Sequence, residues 1–266
     1  MFDSLAAFTS LGDVALLAGL STTRIAVAFL LLPVFSPDTV PAMVRNAIFL
    51  SLGLLSLALQ PVLALDGLHT LQWLALFARE AAIGLGLGFG LAAFLWAFEA
   101  AGAIVDTKVA VANGQIMDPM SGQQLTPTGA LLGRLASFLF MAGGGFLLFI
   151  GVLLDSYRLW PLAQPGWAPR LAGVGLFEQH FADLMALALL LAAPALVVMF
   201  AVDLGLGLVN RYAPQLNLIG ISMSLKGLAA TAIWLLILGH VVQAFGDELA
   251  RRIAAILPGL QRLFGS

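Results

Sequence analysis

Cysteine is missing from this 266-residue chain, and charged residues make up only 10% of it. Without thiols there are no disulfides, no thiolate ligation of iron–sulfur clusters and no cysteine zinc sites. The three histidines, His69, His180 and His240, stand far apart with no partner at ligand spacing. Net charge is -2 with no basic block, which removes the electrostatic basis for nucleic-acid binding. No HExxH, GxSxG or GxxxxGKS/T pattern occurs, and no familiar Ser/His/Asp constellation is visible. Catalysis, a cofactor and a metal centre are therefore not expected. No Lys or Arg precedes Arg24, so the start lacks the positive region of a cleaved signal peptide. The first apolar run is expected to persist as a span.

What the chain has in abundance is apolar surface: 61% of its residues are hydrophobic and its mean hydropathy is +1.02. Soluble domains carry roughly a quarter charged residues, so this composition belongs to a polytopic membrane protein. Runs at 11–32, 46–65, 74–98, 131–154, 182–209 and 225–246 predict about six spans of roughly 20 residues each. They exceed strand length and lack alternation of period two, which favours an all-α protein over a membrane barrel. Basic residues distribute almost evenly over the two sides of such a topology, so orientation is not readable from them.

Few of the runs are clean. Arg24 sits inside the first, where a lipid-facing charge is expensive, and is expected to face protein, water or a headgroup. Pro194 and Asp203 interrupt the fifth, and Gly143, Gly144 and Gly145 follow one another in the fourth. The third reads GLGLGFG. No strand and no ribose-binding acid accompany it, so a dinucleotide loop is excluded. On a helix, Gly84 with Gly88 and Gly86 with Gly90 form two small-xxx-small pairs that favour close packing on two faces. Charges at Arg24, Glu99, Asp106, Arg134 and Asp203 also admit an ion relay, hence an ion-coupled small-solute transporter as the alternative function.

Two polar connections stand out. EAAGAIVDTKVAVANGQIMDPMSGQQLTPTG, 99–129, places Glu99, Asp106 and Asn113 every seven residues, a single stripe if the third helix continues through them. Asp118-Pro119 and Ser121-Gly122 read as turns, and Thr126-Pro127 as the start of the next helix. RYAPQLNLIGISMSLKG, 211–227, packs Arg211, Pro214, Gln215, Asn217 and Lys226 between two apolar runs. Aromatic and basic residues around Trp160 and Trp167 suit a membrane interface. The C-terminal segment 247–266 is amphipathic and is expected at the interface or against a partner helix.

The second connection resembles the hallmark segment of the FliR/SctT family of type III secretion export-apparatus membrane proteins. Arg211, Pro214, Gln215, Asn217 and Lys226 match its pattern, Asp118-Pro119 resembles its acidic-Pro turn, and Glu99 and Gly102 its preceding helix. Leu218, Ile219 and Ser224 depart from it, where the family commonly has an aromatic or a Pro. The resemblance covers most of the chain, including PVFSPDTVPAMVRNAIFLSLG and AAPALVVMFAVDLGLGLVNR, so 1–266 reads as a single export-gate domain.

The resemblance implies long, bent, Gly/Pro-interrupted helices within a helical assembly. It implies a noncatalytic subunit joining five copies of a FliP/SctR-like protein and four of a FliQ/SctS-like protein. A FlhB/SctU-like switch protein and a FlhA/SctV-like ring lie near the entrance, and unfolded proteins pass through the centre. The implied location is the bacterial inner membrane, with the assembled gate projecting toward the periplasm. Met117, Met120 and Met223 are candidates for a soft apolar constriction or for plain packing. The wording of 222–226 resembles injectisome members more than flagellar ones.

Overall fold

A computed structural model describes residues 11–37, 39–57, 60, 69–110, 126–162, 174–213 and 218–264. Its elements are all helical: α1 (Leu11–Leu30), a 3-10 turn (Pro33–Phe35), α2 (Ala42–Leu57), α3 (Thr70–Ala110), α4 (Pro127–Ala142), α5 (Gly145–Leu159), α6 (Val174–Tyr212) and α7 (Leu218–Phe264). The third apolar run does continue into the polar stripe, because nothing between Leu91 and Lys108 breaks a helix. At 41 residues, α3 is about 60 Å long, roughly twice the hydrocarbon thickness of a bilayer.

Fewer than the six expected spans stand out among the described residues. Among the described residues three helices, α3, α6 and α7, are long and apolar enough to cross a membrane, and a bent α4–α5 pair brings the number to at most four. Within the described residues, the first two runs form helices of 20 and 16 residues, with the shorter apolar stretches Ala15–Leu30 and Ala42–Leu57. Hydropathy averages over burial of any kind, so it cannot separate a lipid-facing rod from a helix buried in protein. The α3 span is 72% buried inside the chain, whereas those of α6 and α7 are 22% buried.

The chain divides into two compact units. The first comprises 1–93, 140–181 and 249–266. Its core is aromatic: Phe29 stacks on Phe49 at 5.7 Å and meets Phe35 and Phe149 edge-on at 4.9 and 5.5 Å. Offset and edge-on pairs of this kind add about 0.5–1.5 kcal/mol each beyond area burial. The GLGLGFG stretch uses both of its faces. Gly84 and Gly88 abut the α1 backbone at Arg24 and Ala28, where a Cβ on Gly88 would lie 2.6 Å from the Ala28 carbonyl oxygen. Gly86 and Gly90 receive Leu260, Ile256 and His180 instead.

Leu249, Ile253, Ile256 and Leu260 are buried at helical spacing. Within the chain, Ile256 and Leu260 pack against α3 at Gly90 and Gly86, and Leu249 against α5 at Gly145. Between α4 and α5 the chain bends by 70°, and Gly144 adopts φ 75 ahead of α5. A side chain there would be forced into the left-handed region.

The second unit comprises 94–139 and 182–248. Phe94, Phe98 and Phe245 form its aromatic contact, with centroids 5.0 to 5.5 Å apart. Along α6, Ala188, Ala192, Ala195 and Met199 are buried while Leu190, Val197, Phe200, Leu204 and Leu208 are exposed. α6 runs through Pro194 as one helix.

Candidate functional site

The α3–α4 connection is tied at both ends. Asp106 Oδ2 accepts the backbone N–H groups of Thr128 at 2.8 Å and Gly129 at 3.1 Å. Pro127 opens α4 and has no N–H, so these are the first free donors of that helix, and a carboxylate there also meets the positive end of its dipole. The approach depends on two glycines. A Cβ on Gly102 would lie 2.5 Å from the Gly129 nitrogen, and one on Gly129 would lie 3.0 Å from the Glu99 carbonyl oxygen. Glu99 lies seven residues before Asp106, with its side chain against Gly133: a Cβ there would be 3.3 Å from Glu99 Cβ.

Two residues beyond Asp106, Lys108 reaches a second cluster. Asp203 of α6 faces Lys226 Nζ of α7 at 2.5 Å and Lys108 Nζ of α3 at 4.0 Å. The Lys226 side chain is 9% exposed, that of Asp203 34% and that of Lys108 47%, so the pair is covered on the lysine side and open on the other. The two polar connections singled out in the sequence are thus joined through one carboxylate.

Of the other candidates, Arg211 lies exposed in the last turn of α6, where a cation complements the helix dipole. Met223 is half-buried on α7, one turn before Lys226. Met117, Met120, Asp118, Pro119, Pro214, Gln215 and Asn217 lie outside the described residues. No group of three or more His, Asp or Glu suited to a metal ion occurs among the described residues.

A further network lies in the first unit. Arg24, fully buried, donates from Nε to Glu80 Oε2 at 2.8 Å, from Nη1 to Ser156 Oγ at 3.0 Å and from Nη2 to the Trp160 carbonyl at 2.8 Å. Its guanidinium sits 4.0 Å over the Tyr157 ring, and the Tyr157 hydroxyl donates to the Ser21 carbonyl. Gln60 bridges the Tyr157 carbonyl and the Leu162 N–H, and Arg79 donates to the Leu162 carbonyl. Of the three surroundings expected for Arg24, protein, water or a headgroup, it meets protein, with partners supplied by α3, α5 and Trp160. Sequence reasoning missed Glu80. An acid inside an apolar run was the available signal, since such a group requires a partner.

These arrangements hold helices together, and none of them aligns a nucleophile with a base. The sequence model of bacterial export proteins, family 1, matches residues 15–251. The Yop proteins translocation protein T of Yersinia pestis is 34% identical over 214 residues, 79% of this chain and 81% of that protein. The secretion system apparatus protein SsaT of Salmonella typhimurium is 30% identical over 210 residues, covering 75% of this chain and 78% of its own length. The flagellar biosynthetic protein FliR of Escherichia coli is 26% identical over 234 residues, 86% and 87% of the two chains.

Proposed function

Because the chain belongs to the FliR/SctT family of bacterial export proteins, we propose that it is a noncatalytic core subunit of a type III secretion export gate. The gate passes unfolded proteins across the bacterial inner membrane. The observation that carries this reading is the bareness of α6 and α7, whose apolar spans are 22% buried within the chain. Surface of that kind belongs against other apolar helices or lipid. Identity to the Yop translocation and SsaT proteins exceeds that to FliR, which supports an injectisome gate over a flagellar one.

The partners in this reading are FliP/SctR-like and FliQ/SctS-like proteins, in five and four copies around a single copy of this chain. A FlhB/SctU-like switch protein and a FlhA/SctV-like ring complete the apparatus, and the assembled gate projects toward the periplasm. Asp106, Asp203 and Lys226 then serve as a polar framework that fixes the two connections against the gate's inner helices. Against the transporter alternative, two of its five relay candidates, Arg24 and Asp203, are engaged in ion pairs with other residues.

Native mass spectrometry of the detergent-extracted chain, expressed with its neighbouring genes, tests the proposal. Recovery of a complex with FliP/SctR-like and FliQ/SctS-like subunits is expected. A stable monomer free of both, or ion-driven solute uptake by proteoliposomes of the chain alone, would overturn it.

A further inference from the structure

α2 turns one face inward and one outward. Phe49 stacks on Phe29, and Gly53 abuts Thr22 of α1. Leu50, Leu54 and Leu55 stand outward, each about half exposed. Beyond Asn46 the helix holds two polar side chains, Ser51 and Ser56, and both spend their hydroxyls on carbonyls of α2 itself, those of Ala47 and Gly53. The outward face from Ala47 on therefore offers little for a polar neighbour to bond. Its charge is confined to one end, because Arg45 is the only ionisable residue of α2. Arg45 Nη1 donates to the Phe35 carbonyl at 3.2 Å, which holds the guanidinium beside the start of the helix. No carboxylate pairs with it among the described residues.

A cation at one end of an otherwise uncharged apolar face complements a phospholipid, with its phosphate at one end and its acyl chains along the rest. The length matches as well. Leu55 lies ten residues beyond Arg45, about 15 Å of helix, which is half of the roughly 30 Å hydrocarbon core and hence the depth of one leaflet. We infer that the outward face of α2 is a lipid site. An anionic phospholipid sets its phosphate on the Arg45 guanidinium, a charge-assisted contact, and lays an acyl chain along Leu50, Leu54 and Leu55. The site goes beyond the export-gate reading and requires only that the chain resides in a membrane.

For the test, the chain and the subunits that copurify with it are placed in nanodiscs of equal parts phosphatidylglycerol and phosphatidylcholine, with Leu54 replaced by p-benzoylphenylalanine. Irradiation followed by mass spectrometry is expected to give a phospholipid adduct, phosphatidylglycerol exceeding phosphatidylcholine about fivefold, the factor for one arginine at an anionic surface. Arg45→Gln should bring the two adducts to parity, and Arg45→Lys should keep part of the preference. Both lipids are read in one sample, so poorer folding of a variant lowers the two adducts together and leaves their ratio meaningful. A protein adduct or no lipid adduct at position 54, parity in the wild type, or an unchanged ratio in Arg45→Gln would each overturn the inference. Copurification is scored on the same material, so failure of the export-gate reading is a separate result.

Discussion

Asp106 shows how one side chain can tie the end of α3 to the start of α4. Its carboxylate serves the first two free N–H groups of α4, a contact worth about 1 kcal/mol, with a range of roughly 0.5–2. Asp106→Ala is expected to destabilise by that amount and to speed proteolysis within 111–125, while Asp106→Asn keeps most of the protection. Equal cleavage rates for Ala and wild type would rule out the tie. For Lys226 and Asp203 a double-mutant cycle with Lys226→Met and Asp203→Asn should give a coupling of about 1–3 kcal/mol. The lower end reflects the water that still reaches Asp203, and additive effects would show that the pair contributes nothing. The heptad placement of Glu99 and Asp106 was legible from the sequence because a helix repeats nearly every seven residues. The pairing of Asp203 with Lys226 was not, because the partners lie on different helices and spacing says nothing about which helices meet.

At the level of elements, glycine and arginine decide how closely helices approach. Arg24 ties α1 to α3 and α5, and Arg24→Met strands the Glu80 carboxylate in a fully buried place. A loss of about 3–5 kcal/mol is expected, the usual consequence of breaking a buried pair from one side. Thermal denaturation in detergent reads it, and an unchanged midpoint would contradict the role. Gly144→Ala meets no neighbour within 4 Å, so any loss comes from its φ of 75 alone. About 1–2 kcal/mol is expected there, whereas Gly151→Ala, also in open space, should change little or stabilise. The two-faced packing of GLGLGFG and the opening of α4 at Pro127 were readable from residue spacing and helix-start chemistry. The inward role of Phe29 and Phe49 was not, because an aromatic residue in an apolar run suits a protein core as well as it suits lipid. Nor were the contacts of Ile256 and Leu260 with α3, since such residues would look the same facing α3, lipid or a partner.

On the scale of the whole molecule, the chain covers one of its long apolar helices and leaves two bare. Pulse-chase labelling should therefore show a shorter half-life for the chain made without its partner subunits than with them, by severalfold, as exposed apolar surface draws proteolysis and aggregation. Identical half-lives would mean that lipid alone suffices to cover α6 and α7. The difference in cover between α3 and these helices also sets an order of events after synthesis. α3 is sheathed as soon as the chain folds on itself, so that folding step needs no other gene product. If the export-gate proposal holds, α6 and α7 stay unfinished until a neighbour arrives, and the lifetime of the newly made chain becomes a gauge of how many partners the cell has ready.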